Sequence, residues 1–339
     1  MLHPVRSAFP PAVALFFLVF VAAGLAQSSV DEVHVVPRGS AVERVAGVEL
    51  ATATLGPTIP GAVIRTSADL VMVPVTIIDD MNRPVIGLDE DNFQVFENKK
   101  RQEIKHFSSE DAPVSIGIIV DSSGSMKNKL DRAREAVLQF CEASNPQDEF
   151  FLITFSDEPQ LATDFTSRPE EIENALLTVQ PKGRTSLLDA IYMGIRKMKD
   201  AHYARRALLV LSDGGDNHSR YSEKDVKHAV QEADVLLYAV GTYDQYFSSQ
   251  EEMLGPELLR NVSDISGGQA FTLNNLRELP EVTGAIGMRL RHQYMLAYRP
   301  ESSRKDGKWQ KISVKLRLPH KMYTFLRVQA RTGYYAAAQ

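Results

Sequence analysis

Between Val114 and Arg291, short apolar runs alternate with stretches of helical periodicity, and that alternation leaves few folds open. Val114–Val120 (VSIGIIV), Glu149–Phe155 (EFFLITF), Arg206–Leu211 (RALLVL), Val235–Val240 (VLLYAV) and Gln269–Leu273 are short and mostly apolar. They lack a wet face, as strands covered on both sides do. Lys127–Ala143, Pro169–Thr178, Leu187–Met198, Ser222–Ala233, Glu257–Ser263 and Leu276–Arg291 read as the helices between them. Strand–helix alternation of this kind predicts an α/β fold, a doubly wound and mostly parallel sheet, over residues 110–292.

Either side of that region the period changes to two. Leu70–Ile78, Phe93–Phe96 and Glu103–Phe107 precede it, separated by turn chemistry such as Asp79-Asp80-Met81-Asn82-Arg83-Pro84 and Glu97-Asn98-Lys99-Lys100. Gln293–Tyr298, Lys311–Leu318 and Thr324–Arg331 follow it, the last two alternating apolar with basic or polar residues. Neither flank carries enough strands for a sheet of its own. Together they predict one discontinuous β-sandwich domain, 68–109 plus 293–336, with the α/β domain inserted in it.

The first residues are of another kind. Arg6, the apolar run Ala12–Ala26 and the small residues Gly24-Leu25-Ala26 have the layout of a secretory signal over 1–26. The run is short for a membrane span, which needs about 20 apolar residues, so the expectation is an exported chain, periplasmic or secreted, with no membrane span after signal removal. An uncleaved N-terminal anchor is the alternative. Residues 27–67, without a clear period, read as a linker or poorly ordered arm. The only cysteine, Cys141, falls on the apolar stripe of a helix, which suits a buried thiol and leaves no internal disulfide. A net charge of −5 shows no basic field for nucleic acid.

Two of the apolar strands end in carboxylates. Val114–Val120 runs into Asp121-Ser122-Ser123-Gly124-Ser125, and Arg206–Leu211 into Ser212-Asp213-Gly214-Gly215-Asp216. Gly183-Arg184-Thr185-Ser186 stands just before a helix. Ligands of open α/β sheets bind beyond the carboxyl ends of strands, where strand order reverses. Asp121, Ser123, Ser125, Thr185 and Asp213 offer two carboxylates and three hydroxyls with no imidazole or thiolate. Hard oxygen donors suit Mg²⁺, or else Mn²⁺ or Ca²⁺, and not zinc.

The segment Ile118–Met126 (IIVDSSGSM), with Thr185 in Gly-Arg-Thr and Asp213 in Leu-Ser-Asp-Gly, resembles the metal-ion-dependent adhesion site (MIDAS) of von Willebrand factor type A domains. All five positions of that pattern are present, and the similarity covers about Val114–Arg291. The flanks Leu70–Ile78, Pro84–Leu88, Asp91–Phe96 and Thr332–Tyr335 resemble a secreted bacterial subfamily, the von Willebrand factor A-related domain of Acidobacteria, over about Ala68–Ala336. The resemblance implies a Rossmann-like fold. It implies that Ser123, Ser125 and Thr185 hold the metal by their hydroxyls, and Asp121 and Asp213 directly or through water. It also implies a protein partner that offers an acidic side chain to the open position, in adhesion or envelope complex assembly. Neither a catalytic residue nor an organic cofactor belongs to that scheme.

An enzyme reading stands beside it. A metal-dependent phosphotransferase or phosphatase could use Asp121 as nucleophile, but enzymes of the haloacid dehalogenase kind want a second Asp two residues on, and Ser123 is there. A serine hydrolase finds no Gly-x-Ser-x-Gly and no His set to serve the serine; of eight scattered histidines only His218 lies near Asp213. Asp216 and Asn217 are expected in a solvated turn, as are the acidic clusters Asp79-Asp80 and Asp89-Glu90-Asp91. Tyr243–Gln250 is a candidate partner-contacting loop.

Overall fold

The computed structural model describes residues 70–213, 215–242, 250–300, 307–318 and 325–336. The expected signal, the arm 27–67 and almost all of the Tyr243–Gln250 loop lie outside them. Among the described residues no helix is long and apolar enough to cross a membrane.

The central sheet is built from β5 (Val114–Asp121), β6 (Glu149–Phe155), β7 (Pro159–Thr166), β8 (Arg205–Ser212), β9 (Leu236–Thr242) and β10 (Gln269–Leu273). Its order is β10-β9-β8-β5-β6-β7, parallel throughout except for the antiparallel edge strand β7. The side chains of Ile116, Ile118 and Val120 join the core on one face, where α1 (Leu130–Ala143), α2 (Pro169–Thr178) and α6 (Leu279–Arg291) pack. Ile119, Ile153 and Val210 join the core on the other face, under α3 (Leu187–Lys197), α4 (Glu223–Ala233) and α5 (Gln250–Ser266). Cover on both faces is why these strands read as unbroken apolar runs. Cys141 is buried in the first of these cores, as expected.

The chain goes from β5 outward to β6 and β7, then returns to β8 on the other side of β5. The order therefore reverses between β5 and β8, the place where such sheets open a crevice at their carboxyl ends. The register pairs Val120 with Leu211. Asp121, which ends β5, thus emerges next to Ser212, which ends β8. Helix α3 can lie close on this part of the sheet because Gly194 faces it: a Cβ there would stand 2.8 Å from the Ile119 side chain. That close seat fixes where α3 begins, one residue after Thr185-Ser186.

The flanking strands form two four-stranded sheets. One has the order β13-β1-β11-β4, from β1 (Val71–Ile78), β4 (Ile104–Ser108), β11 (Tyr294–Tyr298) and β13 (Arg327–Ala330). The other runs β14-β12-β2-β3, from β2 (Phe93–Glu97), β3 (Lys100–Gln102), β12 (Trp309–Leu316) and β14 (Gly333–Tyr335). Val73, Val75 and Ile77 share one core with Phe93, Val95 and Ile312, so the two sheets make a sandwich. Each sheet takes strands from both ends of the α/β insertion; β1 pairs with β11 from Val71↔Tyr298 to Val75↔Tyr294. The fold is a doubly wound α/β sheet inserted in a discontinuous β-sandwich.

Some elements differ from the expectation. β7, β3 and β14 were not expected as strands; β7 is an edge strand with no buried residue and no apolar period. Helix α5 starts at Gln250, before Glu257, and carries Pro256 inside it. Proline removes one ladder hydrogen bond and usually marks a helix start, which hid the first turns from the pattern.

Candidate metal centre

Three loops meet at the carboxyl end of the β5–β8 crevice. The first continues β5 as Ser122-Ser123 and enters a 3-10 turn, Gly124–Asn128, that leads into α1. The second is Gly183–Ser186 and the third follows β8. Backbone hydrogen bonds tie the first two: the Gly124 N–H donates to the Gly183 carbonyl at 3.1 Å, and the Lys182 N–H to the Ser122 carbonyl at 2.9 Å. The second and third are tied by the Asn217 and His218 N–H groups, both donating to the Thr185 carbonyl at 3.1 Å, while the Thr185 N–H donates to Asn217 Oδ1 at 3.0 Å. Gly183 has φ +78°, and a Cβ there would strike the Asp157 carboxyl at 2.5 Å. Only glycine suits that turn.

Within this frame Asp121 is fully buried. Its Oδ1 accepts from the Ser123 N–H at 2.8 Å and its Oδ2 from the Ser212 hydroxyl at 2.6 Å. The Ser123 and Ser125 hydroxyl oxygens lie 3.0 Å apart. Ser123 and Thr185 are buried while Ser125 is exposed, which leaves one side open. Asp213 is 2% exposed, and neither of its carboxylate oxygens accepts a hydrogen bond among the described residues. Lys129 Nζ stands 3.7 Å from Asp213 Oδ2. Burial first, and the charge of nearby Asp213 second, push the Asp121 carboxyl up to about 7.

Buried carboxylates keep their charge only with compensation, and an orphaned one is costly. A single ammonium does not neutralise two such groups. An oxygen-only set with an unspent carboxylate and paired hydroxyls fits a hard dication, and the residues present pass that test. Among the described residues no group of three or more His, Cys, Asp or Glu forms a second candidate.

The remaining expectations sort by contact. Asp216 does not lie in a merely solvated turn: it is half-buried and accepts from the Leu188 N–H at 3.3 Å and the Ser219 hydroxyl at 2.6 Å, capping the start of α3. Desolvation pushes its carboxyl up. Asn217 holds Thr185, as above. His218 is exposed and faces the Arg184 guanidinium at 3.3 Å. Asp79 builds its own turn, accepting from the Met81 and Arg83 N–H groups. Lys129, only 6% exposed, was not singled out in the sequence; a lysine in a helix start carries no sign that it will be buried.

The family model of the von Willebrand factor type A domain matches residues 116–215. The inter-alpha-trypsin inhibitor heavy chain H4 of Bos taurus is 25% identical over 158 residues, which cover 42% of this chain and 17% of that one. A UPF0353 protein of Mycolicibacterium gilvum is 24% identical over 193 residues, covering 49% of this chain and 57% of its own. The chain thus spans under two thirds of both relatives. Among solved structures, a von Willebrand factor type A protein from Catenulispora acidiphila aligns with TM-score 0.47 at 11% identity, covering 81% of this chain and 75% of its own.

Proposed function

We propose that this chain, which carries a von Willebrand factor type A domain, binds a divalent cation through Asp121, Ser123, Ser125, Thr185 and Asp213 and uses it to hold an acidic group of a protein partner. The observation that carries the reading is Asp213, buried with both oxygens unspent. The five residues would hold Mg²⁺, or Mn²⁺ or Ca²⁺ in its place. The ion supplies Lewis-acid attraction to an incoming carboxylate. Asp121 is kept in place by the Ser123 N–H and the Ser212 hydroxyl. Ser125 and Arg184 are both exposed, and an exposed guanidinium favours an acidic partner. Export is read from the character of residues 1–26, and a role in adhesion or envelope assembly from the resemblance to von Willebrand factor type A domains.

The contacts of Asp121 favour binding over turnover. A nucleophilic carboxylate needs a free oxygen and a general acid beside it. Both Asp121 oxygens already accept hydrogen bonds, and Ser123 occupies the place of that acid. Capture of partner proteins by the immobilised chain tests the reading. Capture in Mg²⁺ that fails in chelator and for Asp121→Ala is the expected result. Capture indifferent to both would overturn it, and hydrolysis of a phosphorylated substrate lost in Asp121→Ala would install the phosphatase reading instead.

A further inference from the structure

Lys129 is the one cation seen at the pair of buried carboxylates among the described residues. Lysine is seldom buried unless paired, and here its side chain is 7% exposed. Its Nζ lies 3.7 Å from Asp213 Oδ2 and donates to the Thr242 carbonyl, at the end of β9, at 3.2 Å. Its backbone is fixed as well. The Lys129 N–H donates to the Met126 carbonyl at 2.8 Å, and the Lys129 carbonyl accepts from the Ala133 N–H at 3.0 Å, closing the turn that carries Ser123 and Ser125 into α1. The ammonium is therefore built into the same loop as two of the hydroxyls.

We propose that Lys129 is the internal counter-cation of the metal-free centre and that its charge sets how tightly the centre takes a dication. The proposal rests on the metal reading above. Where both carboxyl groups are ionised, the charges of Asp121, Asp213 and the ammonium sum to one negative, and a dication turns this sum to one positive. Two consequences follow from that arithmetic. Without metal, the ammonium offsets part of the repulsion between two carboxylates that share a dry site. With metal, it repels the ion and leaves a surplus positive charge that one carboxylate of a partner neutralises, so ion and acidic ligand favour each other's binding. A lysine does this as a compact charge on a flexible stem, able to withdraw as the ion enters.

The test uses the full chain and the substitution Lys129→Met, which keeps the apolar stem and removes the charge. Calorimetric titration with Mg²⁺ alone should show the variant binding about tenfold or more tightly than wild type, since one repelling unit charge at short range is worth at least that much. Thermal melts in chelator should run the other way: Lys129→Met melts below wild type, and the double variant Lys129→Met with Asp213→Asn recovers the loss. A merely structural lysine would lower stability in both conditions and leave Mg²⁺ affinity unchanged or weaker; that result would overturn the proposal. If Lys129→Met alone does not fold, the double variant decides by its melt in chelator: a value near wild type supports the charge argument, and a failure to fold refutes it. A wild type that binds no Mg²⁺ would sink the metal reading, whereas wild-type binding unchanged by Lys129→Met sinks this inference alone.

Discussion

Asp121 and Asp213 are both buried, yet they spend their oxygens differently: among the described residues one accepts two hydrogen bonds and the other none. A buried carboxylate that accepts no hydrogen bond and meets an ammonium only at 3.7 Å is carried at a cost in stability, and functional sites commonly hold such costs. Asp213→Asn should abolish the Mg²⁺-dependent rise in melting temperature, read by thermal melts in Mg²⁺ and in chelator. The pH dependence has a definite sign. Asp121 is raised from 3.8 to about 7, so the metal-free form loses stability as pH rises through that window. A dication must displace the proton held there, and Mg²⁺ affinity should climb with pH up to about 7 and then level off. Calorimetry at pH 6 in buffers of different ionisation enthalpy should record a proton released. Cys141 belongs to the core instead; burial pushes its thiol up to about 12, so native chain should resist thiol alkylation at pH 8 and react only when unfolded.

At the scale of elements, the centre depends on how closely α3 sits on β5 and β8. Gly194→Val would set a side chain against Ile119 and Leu208. It should cost about 1–3 kcal/mol by overpacking and weaken Mg²⁺ binding, because Thr185 leads into that helix. Denaturant melts and titration of the same variant check both parts. The strands around the crevice were legible because burial on both faces leaves a run such as Ile118-Ile119-Val120 with no polar interruption. The ligands were legible because Asp121 and Asp213 follow directly on such runs. β7 was not legible: an edge strand with one neighbour and no buried residue needs no apolar period. Lys129 escaped for a related reason, since its burial is decided by β9 and Asp213, far away in sequence.

At the scale of the molecule, the chain leaves the sandwich after β4, builds the α/β domain, and returns at β11 to pair with β1. The alternation of period two with helical spacing showed the insertion; the number of strands did not show, because β3 and β14 are only three residues long. Polar contacts join the sandwich strands to the inserted domain. Arg289 of α6 is fully buried, donates to the Asn82 carbonyl at 2.9 Å and to Gln269 Oε1 at 2.6 Å, and lies over Phe271; Gln329 of β13 donates to the same Gln269 oxygen at 2.7 Å. A chain ending at residue 300 would lack β12, β13 and β14 and leave β2 without β12 and β1 without β13. Such a chain should lose the cooperative unfolding of the intact protein, as followed by far-UV circular dichroism during a denaturant melt. The proposed function needs one ion at one site. Calorimetric titration of the purified chain with Mg²⁺ tests this most directly. It should show a single equivalent bound by wild type and none by folded Asp121→Ala or Asp213→Ala. Equal binding by the variants, or none by wild type, would contradict it.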